Sequence, residues 1–186
     1  MSILDIRVLG DPVLREETNP VEQITDELRA LAKDMFETMR VAKGIGLAAP
    51  QVGRTERLAV IDVNEKAFVI VNPEILELDS KTAKAEEGCL SIPDVYGDVE
   101  RPSRVRVRAL DLDGKEFEIE ADELLGRCLQ HEIDHLHGKL FIDYLSVLKR
   151  RAAMSKWSKE KDKYPSFVRK LDADPTGSHE HPDEEL

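Results

Sequence analysis

The pentapeptide His131-Glu132-Ile133-Asp134-His135 constrains this chain more than any other feature, because its chemistry works only on a helix that turns one face toward a shared ion. At about 100° per residue, His131 and His135 stand one turn apart on one face, so both imidazoles can reach the same centre. Glu132 is rotated by about 100° from His131, which places it beside the ion as a proton acceptor for water rather than as a ligand. Leu124 and Cys128 share the histidine face, and His137 falls roughly opposite. The pattern predicts a helix over about 122–137, with Asp122 as its cap and Gly138 as its stop.

Two helical histidines also occur as ordinary packed or surface residues, so a third ligand decides the matter. Downstream, Asp143 and Glu160 stand in no recognisable ligand pattern. Upstream, Glu86-Glu87-Gly88-Cys89-Leu90-Ser91-Ile92-Pro93 offers a soft donor beside a glycine. Cys89 as third ligand leaves a fourth position open for water, as a catalytic site requires. Cys128, three residues before His131, would crowd the ion and reads instead as a small apolar residue lining a pocket. His179 and His181 receive no role.

Around this core the chain alternates helical and strand-like signals. Thr25 can cap a helix whose apolar positions Leu28, Leu31, Met35 and Met39 recur at helical spacing, ending near Lys43. The glycine-rich stretch 44–53 reads as a shaped loop rather than regular structure. Strand-like runs follow at 57–63, 67–71, 74–79, 104–110 and 116–120, with Asp113-Gly114 in a hairpin position between the last two. Another helix is predicted from Ser146 to Lys163. Local hairpins beside a few helices, without a repeating βαβ order, indicate an α+β fold.

Three segments together resemble peptide deformylase: Gly44-Ile45-Gly46-Leu47-Ala48-Ala49-Pro50-Gln51, Glu87-Gly88-Cys89-Leu90-Ser91 and Gln130-His131-Glu132-Ile133-Asp134-His135. The resemblance implies antiparallel β-sheets packed around a central metal-binding helix, with a C-terminal helix. It also implies a hydrolase that removes the formyl group from the N-terminal methionine of newly made proteins and releases formate. Metal ligands would be Cys89, His131 and His135, and the ion Fe²⁺ most often, with Zn²⁺, Ni²⁺ or Co²⁺ possible. Water activated at the ion would attack the formyl carbon with Glu132 as general base and then acid. Gln51 and the backbone N–H of Leu90 would stabilise the oxyanion, Ile45 and Gly46 would bind the substrate backbone as an added strand, and Ile45, Leu124, Cys128 and His131 would surround the methionine side chain. After Pro93 this chain reads Asp94-Val95-Tyr96-Gly97, where members of the family it resembles often carry a basic residue near the position of Tyr96.

Composition bounds the rest. A length of 186 residues, 41% of them hydrophobic, suits one catalytic domain over 1–171. Residues 172–186 carry six acids, no Lys or Arg and almost no apolar side chains, and are expected to be disordered. The opening residues lack the pattern of a secretory signal, the longest apolar run (67–71) is too short to span a bilayer, and two cysteines make no disulfide framework, so a cytoplasmic protein is expected. The formal charge of −11 excludes a broad nucleic-acid surface, and neither DNA nor a membrane is an expected partner. Residues 149–170 alone are basic, with nine Lys or Arg against two acids, which suits docking on the ribosome. A metalloprotease or general amidase is disfavoured by Cys89 and Gln51, and a structural zinc protein by the lack of a fourth ligand.

Overall fold

The computed structural model describes residues 2–172, so the expectation for the acidic tail lies, beyond its first residue, outside the described residues. In chain order the elements are β1 (Ile6–Arg7), α1 (Asp26–Val41), β2 (Gly46–Ala48), β3 (Leu58–Val63), β4 (Lys66–Leu78), β5 (Thr82–Glu87), β6 (Gly97–Pro102), β7 (Arg104–Leu110), β8 (Glu116–Asp122), α2 (Glu123–Leu136), α3 (Val147–Glu160) and β9 (Val168–Arg169). Five strands make one antiparallel sheet in the order β2-β3-β4-β7-β8, while β5 pairs with β6 and β1 with β9. The architecture is α+β, with α2 laid against the large sheet and α3 near the C-terminal end.

Burial explains why β3 and the first half of β4 read as continuous apolar runs. Ala59, Ile61, Val63 and Ile70 face the cluster around α2, with Cys128, Leu129, Ile133 and Leu136. Leu58, Val60, Val69 and Val71 face the opposite cluster, where α1 contributes Leu28, Leu31, Met35 and Met39. A strand covered by a helix on each side needs apolar residues at every position. β7 is covered on one side only: Val105, Val107 and Ala109 join the α2 cluster, while Arg104, Arg106 and Arg108 point outward and pair with glutamates of β4 and β8. Each fully buried aliphatic side chain in these clusters contributes about 1.5–3 kcal/mol.

Thr25 caps α1 as its position predicts, accepting from the Leu28 N–H at 3.1 Å, and Ser146 caps α3 by accepting from Lys149 at 3.3 Å. Three expectations need correction. The runs at 67–71 and 74–79 are one strand, β4, bent at Asn72, whose φ of 49° breaks the register while its side chain exchanges two 2.8 Å hydrogen bonds with the Val21 backbone. The glycine-rich stretch 44–53 is partly regular, because its residues 46–48 pair with β3 before a 3₁₀ turn over Ala49–Val52. Asp122 precedes α2 but its side chain makes no capping bond.

Gly138 ends α2 in a left-handed turn at φ +70°, with the Gly138 N–H donating to His135 O at 3.2 Å and the Lys139 N–H to Asp134 O at 2.9 Å. A Cβ at this position would stand 2.5 Å from the Arg15 carbonyl oxygen. Gly138→Ala should therefore destabilise the fold by roughly 1–3 kcal/mol, read from the midpoint of urea denaturation. An unchanged midpoint would mean that neither the turn nor the Arg15 segment is constrained there.

Candidate active site

The last two turns of α2 bring its histidines to the centre of the molecule, where the helix is buried on nearly every side. His131 Nε2 lies 3.2 Å from His135 Nε2, and His135 Nε2 lies 3.4 Å from Cys89 Sγ. All three ligand atoms fall within 4.8 Å of one another, so Cys89, His131 and His135 could hold one metal ion. Tetrahedral ligands about 2.0–2.3 Å from an ion stand roughly 3.3–3.7 Å apart, which these separations match closely. Two neutral imidazoles and one thiolate also form a donor set of mixed softness suited to a first-row divalent metal. Among the described residues this group has three members, leaving room for a further ligand that is not protein.

Glu87 sets the orientation of the site. Its Oε1 accepts from His131 Nδ1 at 2.9 Å, which fixes the ring so that Nε2 faces Cys89 and His135. Arg101 donates to Glu87 through Nε at 2.6 Å and Nη2 at 2.9 Å, and Arg127 through Nη1 at 2.7 Å. Arg127 also donates to the Val99 and Ala83 carbonyls, and Arg101 to Asp134, so the same group ties β5 and β6 to α2. Burial works to protonate Glu87, but the hydrogen bonds from His131 and Arg101 outweigh it and hold the carboxyl far below the usual carboxylate range.

Glu132 differs from Glu87 in every respect that matters chemically. It is fully buried, and neither carboxylate oxygen has a hydrogen-bond partner within the protein. Burial pushes its carboxyl up to about 7, and the charge of Glu87 adds to the rise. Strand β2 lies directly against it, because Gly46 has no side chain: a Cβ there would stand 2.5 Å from Glu132 Oε1 and 2.9 Å from Cys128 Sγ. Gln51 is oriented by the Ala48 N–H, which donates to its Oε1 at 2.9 Å, leaving Nε2 3.2 Å from Ser91 Oγ and 3.6 Å from Cys89 Sγ. Leu90, next in the chain, is fully buried.

Ile45 and Cys128 belong to one core cluster with Leu124 packed against it, and Cys128 Sγ lies 3.7 Å from Ile45 O. Burial, reinforced by the charges of Glu132 and Glu87, pushes the Cys128 thiol well above its ordinary pKa, so it stays a protonated packing residue. Leu124 also lines a cavity of about 710 Å³ between α2 and the β5–β6 pair, floored by Arg127. The structure thus gathers Cys89, His131, His135, Glu132, Gln51, Leu90, Gly46, Ile45 and Cys128 around one centre, with Leu124 at its margin.

Residues 3–151 match the polypeptide deformylase family. The chain belongs to that family. It is 53% identical over 162 residues to a peptide deformylase of Acinetobacter baumannii (strain SDF), covering 86% of this chain and 92% of that one. It is 54% identical over 163 residues to one of Alkalilimnicola ehrlichii, covering 86% and 91%. The crystal structure of a peptide deformylase from Legionella pneumophila superimposes with a TM-score of 0.83 at 49% identity, covering 87% of this chain and 97% of that one. A second, from Synechococcus elongatus in complex with actinonin, gives 0.81 at 45%, covering 83% and 88%. The family is one of hydrolases, and the chain is an enzyme of that class.

Sequence reasoning assigned no role to Glu87, Arg101 or Arg127. Glu87 orients the site only in company with the two arginines, and Arg101 meets it through a β5–β6 pairing, Arg127 through the packing of α2 on that pair, neither of which the sequence pattern reveals. Since Glu87 neutralises two buried cations, Glu87→Gln should cost roughly 3–5 kcal/mol of stability. By freeing the His131 ring it should also weaken metal retention roughly 10–100-fold. Chelator competition and denaturation measure the two losses separately, and full retention of metal would remove the orienting role.

Proposed function

We propose that this chain removes the formyl group from the N-terminal methionine of newly made proteins in the cytoplasm, with residues 1–171 as a single catalytic unit. The observation that carries this reading is the unpartnered, buried carboxylate of Glu132 set against Gly46 and beside the Cys89, His131, His135 group. Lewis acidity comes from a divalent ion held by those three residues, ferrous iron in this reading, with zinc, nickel or cobalt also compatible with the donors.

The chain's own residues do the rest. Glu132, poised near neutral pH, takes a proton from water as its oxygen attacks the formyl carbon, and returns that proton to the methionine nitrogen as the C–N bond breaks, so formate and a free amine leave. Gln51 Nε2 and the Leu90 N–H receive the charge that develops on the formyl oxygen. The substrate backbone lies along Ile45 and Gly46 at the free edge of β2, with the methionine side chain toward Leu124 and Cys128. The close approach of Gly46 to Glu132 leaves little space for an acyl group larger than formyl.

Formate release from a formyl-methionyl peptide tests the reading directly. Glu132→Gln should keep the metal and lose at least about 100-fold in turnover, Cys89→Ala should lose the metal, and an acetyl-methionyl peptide should be cleaved at least about 100-fold more slowly than the formyl one. Comparable rates on the two peptides would instead indicate a general amidase.

The ribosome is the proposed docking partner, through α3 and the residues after it. Ala153 and Trp157 anchor α3, while Val147 and Leu148 are exposed, and of its cations Lys149 pairs with Asp98 and Arg150 with Asp143. Co-sedimentation with ribosomes should weaken with salt, and further when Lys149, Arg150, Arg151 and Lys156 are neutralised, with turnover on a short peptide unchanged. Equal sedimentation of the intact and neutralised chains would exclude this surface.

A further inference from the structure

The turn that carries Cys89 is held from outside by segments near the two ends of the described residues. Each of its three successive carbonyls has a donor. Cys89 O accepts from the Ile92 N–H at 2.9 Å, Ser91 O from the Leu9 N–H at 2.8 Å, and Leu90 O from Arg169 Nη1 at 3.2 Å. The first bond is internal to the turn, whereas the other two come from β9 and from the residues just after β1. These two strands pair with Ile6 opposite Arg169. Around that pairing the ends are fixed further: the Val8 N–H donates to Phe167 O at 2.9 Å, and Trp157 Nε1 donates to Leu9 O at 3.2 Å. Gly10, at φ +118°, lets the Phe167 ring lie where a Cβ would stand 2.3 Å from it.

The geometry points to Arg169 as a positioning residue of the active site, holding the Leu90 carbonyl and thereby the direction of the Leu90 N–H. Leu90 is fully buried, so its carbonyl has no solvent to turn to, and the guanidinium is the side-chain donor that reaches it. The Leu90 N–H lies in the peptide plane of Cys89 O and the Leu90 C=O in the next plane, the two hinged at one Cα, so releasing the second plane removes the restraint on that hinge and leaves the N–H plane held by the Ile92 bond alone. Leu9 fixes the next carbonyl by a backbone bond that no side-chain substitution removes, which leaves Arg169 as the part of this brace open to test. Arg169 lies beyond the segment 3–151 matched by the family. The catalytic consequence rests on the proposed role of the Leu90 N–H as an oxyanion donor, while the brace itself does not.

The experiment compares the full-length, metal-loaded chain with Arg169→Met and Arg169→Lys. It reads steady-state kinetics on a formyl-methionyl peptide, metal content, thermal midpoint, and deuterium exchange over residues 86–93 against the β3–β4 region. For the Met variant, kcat should fall about 10–100-fold with KM within about twofold. Its exchange should quicken over 86–93 alone, metal content and thermal midpoint should hold, and Lys should restore part of the lost rate. A Met variant with kcat and local exchange both unchanged overturns the inference. So does one whose exchange rises equally in the β3–β4 region with a lowered midpoint, which would make Arg169 a general stability residue. If the unsubstituted chain releases no formate, the proposed function fails on its own, and exchange over 86–93 still decides whether Arg169 holds the turn.

Discussion

Glu87 accepts hydrogen bonds from His131, Arg101 and Arg127 in a setting with almost no water, and the rest of the site is arranged around that fact. A buried carboxylate with one partner would be a liability, because its desolvation would outweigh a single attraction. Three charge-assisted partners reverse the balance and make the position rigid. Through His131 the carboxylate aims an imidazole, and through Arg127 it draws in the Ala83 and Val99 carbonyls of β5 and β6. Cys89 follows Glu87 by two residues, so the strand that delivers the anchor also delivers the thiolate.

Two glutamates, one ending β5 and the other on α2, thus share one neighbourhood on opposite terms. Glu87 is saturated with donors and permanently charged; Glu132 is buried with both oxygens unpartnered and shifts toward neutrality. The contrast is what lets one carboxylate serve as fixed scaffold and the other as a proton carrier. Gly46 is the third member of this arrangement, since only a residue without a side chain lets the β2 backbone come so close to Glu132.

Much of this was legible in the sequence where the signal is local. The 3.6-residue period exposed α1, the two-histidine spacing exposed α2 and the face it presents, and Asp113-Gly114 marked the β7–β8 turn, where Gly114 adopts φ +76°. Cys89 could be picked out because the chain has only two cysteines and the other, Cys128, stands too close to His131 on the same helix to share its ion. The signal failed where structure depends on partners distant in sequence. β5 reads Thr-Ala-Lys-Ala-Glu-Glu, with little apolar alternation, because it is exposed except at Glu87, and it is a strand only because β6 is there to pair with it. The two-residue strands β1 and β9 carry no periodicity at all, and Arg101, Arg127 and Arg169 look like any surface arginine until the carboxylate or carbonyl each one meets is in place.

The pairing of β1 with β9 joins residues near opposite ends of the chain, and this has a bearing on the order of assembly. The large sheet is built from neighbours in sequence, β2 to β3 to β4 and β7 to β8, so its loops are short and its closure is rapid. The contact between Ile6 and Arg169 closes a loop of almost the whole described chain, and nothing can make it until residue 169 has left the ribosome. Helix, sheet and histidines can therefore be in place while the turn bearing Cys89 still lacks the Arg169 donor to its Leu90 carbonyl. The last part of the centre to become rigid is the part that waits for residue 169.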